Sequence, residues 1–143
     1  DEKTMINRVL DLQNLTVAQI TVPLANTVTV ATDTLMEQVL NICRERNLTR
    51  LPVMRKDSDR ERVVGVLSLK KLLYLDNLDP SKTAGEYVSP ALFLRDNLRL
   101  EEALRRMQRS GRRLAVVLDR NQREIGIISL QDILKTIFGE VSL

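Results

Sequence analysis

The residues best spaced for chemistry are Ser129-Leu130-Gln131-Asp132, a serine closing an apolar run and an acid three positions later. At a strand-to-helix junction this spacing has two readings. In one, the serine caps the helix and the acid interacts with the positive end of its dipole. In the other, first-turn N–H groups receive an anion while the carboxylate accepts the hydroxyls of a ribose. A second stretch, Ser68-Leu69-Lys70-Lys71, keeps the serine but carries lysine where the acid stands. Lysine only donates, so Lys71 can pair with a phosphate but cannot hold a sugar diol. No nucleophile–base pair, no paired carboxylates on a rigid element and no phosphate-loop motif accompanies them, so no catalytic residue is assigned. The expectation is a protein that is not an enzyme.

Composition excludes more. With no histidine among 143 residues, there is no histidine general base, no His-based triad and no ordinary zinc site. The lone Cys43 cannot form an internal disulfide, which points to an intracellular chain. It shares a helical face with Met36, Val39 and Leu40 and reads as a small buried hydrophobe. Asp57, Asp59 and Glu61 alternate with Arg60 and Arg62 in a charged surface loop, residues 55–62, with either a loose Mg²⁺ site or a solvated face in view. No metal ligand is assigned. Residues 99–113 hold six arginines against two glutamates, yet the chain has only four aromatic residues to stack on bases. Nucleic acid is not an expected partner. The longest uninterrupted apolar run spans five residues, 114–118, against the roughly 18 a spanning helix needs.

The elements that must position Ser129 and Asp132 emerge from an internal repeat. Val64-Gly65-Val66-Leu67-Ser68-Leu69 recurs 61 residues later as Ile125-Gly126-Ile127-Ile128-Ser129-Leu130. Upstream, Leu51-Pro52-Val53 matches Leu114-Ala115-Val116, and Val22-Pro23 matches Ser89-Pro90 at a separation of 67. Each copy reads as a short extended segment (28–30; 91–94), an amphipathic helix (34–45; 99–108), two valine-rich strands (51–54 and 63–67; 114–118 and 125–128) and a closing helix (69–74; 130–137). The unit is β-α-β-β-α and the class α/β. Gly65 and Gly126 fall inside strands, which signals either a bulge or close approach by a neighbouring backbone or ligand. Thr16 is placed to cap a short turn over 17–20. The expected boundaries are an N-terminal linker helix at 1–15, a first repeat at 16–76, a closely packed connection at 77–83 and a second repeat at 84–143. Apolar faces such as Val39/Cys43 and Ala103/Met107 are expected to remain uncovered and to drive self-association.

In order and twice over, these residues resemble a pair of CBS (cystathionine-β-synthase) domains, a Bateman module. The likeness is nearest to the intracellular CBS pair of CorC/hemolysin-C-like and CNNM-type magnesium and cobalt transport proteins. It is carried by Thr16-Val17 and Ile20, Arg50-Leu51-Pro52-Val53, Gly65-Val66-Leu67, Ala115-Val116-Val117 with Asp119, and the run from Gly126 to Leu134. The two ends add Val9-Leu10-Asp11-Leu12 and Ile137-Phe138-Gly139-Glu140-Val141. The resemblance implies a pseudo-twofold module that binds an adenine nucleotide, AMP or ATP with or without Mg²⁺, and regulates an attached membrane transport domain from the cytoplasmic face. It also implies a homodimer. By motif, Asp132 would hold the ribose, Ser129 the phosphate, and Thr21, Val22, Pro23, Leu51, Pro52 and Val53 the purine side. Ser68 and Lys71 would serve the opposite cleft. Three departures stand out: Leu24 follows Val22-Pro23 where the family has arginine, Asp119-Arg120-Asn121 replaces its usual turn, and Lys135-Thr136 replaces its acidic pair. A ligand-free dimerisation module is the alternative, favoured by Lys71 and the missing arginine.

Overall fold

A computed structural model describes residues 14–75 and 77–139 and divides into two compact units. The expected helix over 1–15 and the closing run beyond Gly139 lie almost wholly outside the described residues.

In the first repeat, β2 (Val30–Ala31) leads through helix α1 (Met36–Arg46) to β3 (Arg50–Asp57), with β2 and β3 parallel. Strand β4 (Arg60–Ser68) returns antiparallel and feeds the five-residue helix α2 (Leu69–Leu73). The second repeat repeats the path as β5 (Leu92–Arg95), α3 (Leu100–Ser110), β6 (Leu114–Leu118), β7 (Glu124–Ser129) and α4 (Leu130–Phe138). Both long helices end on a left-handed residue, Asn47 at φ 54° and Gly111 at φ 68°, which releases the chain toward the next strand.

The helical spacing in the sequence is the spacing of the cores. In α1, Met36, Val39 and Cys43 point inward; in α3, Leu100, Ala103 and Met107 do. They meet Leu51, Val53 and Leu67 in one unit and Ala115, Val117 and Ile128 in the other. The expectation of uncovered faces is therefore corrected: Val39, Cys43, Ala103 and Met107 are at most 6% exposed, each covered by its own unit's sheet. Burial pushes the Cys43 thiol above its ordinary pKa.

A second correction concerns residues 55–62. They form no loop but the far end of the β3–β4 hairpin, turned at Ser58 (φ 52°). Lys56 stands opposite Glu61 and Asp57 opposite Arg60, so opposite charges share register positions across the strands, and Asp57 pairs with Arg55 along its own strand at 3.8 Å. Opposite-charge pairing supports strand here although the apolar alternation has lapsed.

The compact units do not follow the sequence repeats. Residues 14–27 belong with 92–139, and residues 84–91 belong with the first repeat. Strand β1 (Val22–Pro23) lies antiparallel on β7, giving the sheet order β1-β7-β6-β5. In the other unit, Ser89 pairs with Val66 through two backbone bonds of 2.9 Å, beside a sheet ordered β2-β3-β4. Each crossing explains a glycine. A Cβ on Gly126 would sit 2.1 Å from the Val22 carbonyl oxygen, and one on Gly65 would sit 2.3 Å from that of Ser89. A register shift falls beside each glycine as well, so the bulge and the close approach occur together.

The two crossing segments are built alike. Thr16 precedes the 3₁₀ turn Val17–Ile20, and the Gln19 side chain accepts from the Thr16 N–H at 2.6 Å. Thr83 precedes Ala84–Glu86, and Glu86 accepts from the Thr83 N–H at 2.9 Å. Val17 and Ala84 are fully buried in their respective cores. The connection is closely packed: the carbonyls of Pro80 and Lys82 accept from the first N–H groups of α1 at 3.0 and 2.8 Å. Those bonds stand in for a side-chain cap, which Leu35 cannot supply.

Candidate functional site

Strand β7 keeps its pairing with β6 down to Ser129, which faces Leu114, and the chain then turns directly into α4. The Ser129 hydroxyl accepts a hydrogen bond from the Asp132 N–H at 3.0 Å. The Leu130 N–H is taken by the Arg113 carbonyl at 2.9 Å. Serine is thus a true N-cap, as the first reading of the motif holds. Its oxygen is an acceptor in that bond, which leaves the hydroxyl proton to donate elsewhere. The Asp132 carboxylate is half-buried and makes no hydrogen bond or ion pair among the described residues. Only its backbone carbonyl is engaged, by the Thr136 hydroxyl at 2.8 Å. Capping accounts for the serine and leaves the acid available.

Thr21, Val22 and Pro23 are brought to this same unit. Val22 lies opposite Ile127, two residues before Ser129, and the Thr21 hydroxyl donates to the Val17 carbonyl at 2.7 Å. Leu51, Pro52 and Val53 lie on β3 in the other unit. Leu51 and Val53 are core residues at 1% and 0% exposure, while Pro52 occupies the other face of the strand, opposite Val66. Ser68 and Lys71 are in that unit too. Ser68 is at the N-cap position of α2 yet makes no side-chain capping bond, and Lys71 is exposed. The two serines, equivalent in sequence, differ in what their hydroxyls do. A shallow surface depression bordered by Leu35, Glu37, Gln38 and Asn41 contains none of the candidate residues.

The turn at 119–122 was legible as polar sequence; the side chain that closes it was not. Asp119 organises the β6–β7 turn, its Oδ1 accepting from the N–H groups of Asn121 and Arg123 at 2.8 and 3.0 Å. The Arg123 N–H chiefly, then that of Asn121 and the charges of Arg123 and Arg95, hold the Asp119 carboxyl below the usual range despite some desolvation. The paired Thr-x-x-Gln and Thr-x-x-Glu boxes were also missed, although they sit 67 residues apart, the separation of Val22-Pro23 and Ser89-Pro90. In the arginine-rich stretch, Glu102 pairs with both Arg105 and Arg106 along one face of α3. Among the described residues, no group of three or more acids or cysteines is placed to hold a metal ion. None of their helices is long and apolar enough to cross a membrane.

A tandem of β-α-β-β-α units, each completed by a segment preceding the other repeat, with a serine–aspartate junction at one closing helix, defines a class of paired α/β modules. The CBS domain model matches residues 17–77 and again 84–139, and the chain belongs to that family as a tandem CBS pair. Over 99% of its length it is 28% identical to the UPF0053 protein Rv2366c of Mycobacterium tuberculosis, of which it covers 33%. It is 25% identical, again over 99% of its length, to the magnesium and cobalt efflux protein CorC of Vibrio cholerae, covering 48% of that protein. Among solved structures, the CBS domain of a bacterial CNNM/CorC family Mg²⁺ transporter in complex with ATP superposes with a TM-score of 0.83 at 29% identity, covering 98% of this chain and 99% of that one. The chain spans a third to a half of the length of these two relatives.

Proposed function

We propose that this chain is a regulatory module that binds an adenosine nucleotide and controls a magnesium or cobalt transport, or hemolysin-like, protein from the cytoplasmic face of its membrane. The observation that carries the reading is the unpaired, half-buried Asp132 carboxylate in the first turn of α4, beside a capping serine whose proton is free. A carboxylate so placed accepts both hydroxyls of a ribose, and the Ser129 O–H with the Gln131 N–H faces a phosphate. Thr21, Val22 and Pro23, in the same unit, serve the purine. The ATP complex of the related CBS domain supports the nucleotide. No basic side chain stands at Leu24, so a Mg²⁺ ion accompanying ATP would offset phosphate charge that arginine offsets in relatives of the usual pattern. Ser68 and Lys71, lacking an acid, make the weaker site.

Calorimetric titration with AMP, ADP and ATP, with and without Mg²⁺, tests this. Hydrogen bonds to a charged acceptor contribute roughly 1.5–3 kcal/mol, so Asp132→Ala should weaken binding about tenfold or more. Asp132→Asn keeps part of the helix-end interaction and separates binding from folding. Equal affinity in wild type and both variants would return Asp132 to a role at the helix terminus alone.

A second reading, a ligand-free dimerisation module, is favoured by a different observation. Leu73, Tyr74 and Leu75, at the end of α2 and just beyond it, stand 72%, 78% and 48% exposed in succession. A contiguous apolar patch of this kind marks an association surface. Light scattering that gives only the 16.3 kDa monomer across concentrations would dismiss it.

A further inference from the structure

We propose that residues 14–23 act as a strap coupling the chain that precedes them to the Ser129–Asp132 junction, so that seating of the strap and occupancy at Asp132 bias one another. The strap opens the first repeat in sequence but is built into the unit of the second. The Val17 and Ala18 N–H groups donate to the Leu98 and Asp96 carbonyls, each at 2.9 Å. In return the Leu100 N–H donates to the Leu15 carbonyl at 3.0 Å, which caps α3 where Arg99 supplies no side-chain cap.

Two routes run from the strap to Asp132. Val22 pairs with Ile127 on the strand that ends at Ser129, and Val17, at 0% exposure, shares a core cluster with Ile133, next to Asp132 on α4. Unseating the strap therefore uncaps α3, strips the edge from β7 and opens a void in the cluster that holds α4. Whatever displaces or tightens the preceding chain acts on the Asp132 unit directly. By linkage, a ligand that favours the ordered α4 junction favours the seated strap by the same factor. The ligand arm of this inference rests on the nucleotide reading; the strap itself does not.

Hydrogen–deuterium exchange on the full chain tests it. Val17→Ala should speed exchange at Ala18 and Leu100 about tenfold, and at the Asp132 N–H by at least about threefold, because local opening then spreads along the coupled elements. The N–H groups of Met36 and Ala84, bonded within the other unit, should stay at wild-type rates. Should Val17→Ala not fold, Thr21→Val, which removes only the bond to the Val17 carbonyl, loosens the strap more gently. Faster exchange at Ala18 and Leu100 with the Asp132 N–H unchanged would overturn the coupling. So would equal acceleration at Met36 and Ala84, since the strap would then not be a separable element. Saturating ATP should slow Ala18 and Leu100 in wild type but not in Asp132→Ala. ATP that binds by calorimetry without slowing them overturns the coupling. ATP that does not bind refutes the nucleotide reading instead, and the ligand-free exchange decides the strap.

Discussion

Replacing Gly126 with alanine should destabilise the protein by about 2–4 kcal/mol, against the usual direction for a glycine in a strand. The added Cβ would lie 2.1 Å from the Val22 carbonyl oxygen, 2.6 Å from Thr21 Cγ2 and 2.9 Å from the Val22 carbonyl carbon. Carbon and oxygen settle at roughly 3.3–3.6 Å, so the Val22 backbone must retreat by more than about 1 Å. It cannot do so freely, because Val22 and Pro23 are paired to β7 and Thr21 is tied to Val17. Overpacking of this sort costs about 1–3 kcal/mol, and each ladder bond lost adds about 1 kcal/mol. Restricting the unfolded chain returns only about 0.4–1 kcal/mol. At roughly 2–4 °C per kcal/mol, the melting temperature should fall on the order of 10 °C. Gly65→Ala should behave alike, with contacts of 2.3 and 2.5 Å to Ser89 and Val88. Gly111→Ala meets nothing within 4 Å but must hold φ +68°, a cost of roughly 1–2 kcal/mol. Gly85→Ala, at 3.1 Å from the Thr32 oxygen, should be mildest. Urea denaturation followed by circular dichroism ranks the four. Gly126→Ala at or above wild-type stability would refute the seating of β1 on β7.

Further outcomes follow from single groups. Ser129→Ala should cost about 1 kcal/mol by urea denaturation through the lost cap, whereas Ser68→Ala, whose hydroxyl caps nothing, should be near neutral. Asp119, and Asp79 through the Ser81 hydroxyl and N–H, hold folded pKa values below their ordinary ones. Their contribution is complete above the unfolded value of about 4 and is lost as pH falls through the lower folded value. Urea midpoints should accordingly be flat with respect to these groups from pH 7 to 5 and drop below pH 4, less steeply in Asp119→Asn. Cys43, 6% exposed with its pKa raised by burial, should resist a thiol reagent until denaturant is added, and Cys43→Ser should cost about 1–3 kcal/mol by urea denaturation.

Much was readable in the chain itself. The 61-residue echo around Gly65 and Gly126 and the spacing of Met36, Val39 and Cys43 follow from local periodicity, which depends only on which residues neighbour one another along a helix or strand. The junction Ser129-Leu130-Gln131-Asp132 was legible for the same reason, since its capping geometry closes within four residues. Tertiary structure decided the rest. Nothing local says that Val22 crosses Gly126 rather than Gly65, because that choice lies in a pairing of residues about 100 positions apart. The glycines signalled either a bulge or a close approach, and only the fold showed both and named the partner. Likewise, the fates of Val39 and Met107 depended on which sheet covers them, and that of Leu51 and Val53 on which face of β3 the core occupies. Burial is a property of the assembled layers; sequence sets the stripe, and packing determines what lies against it.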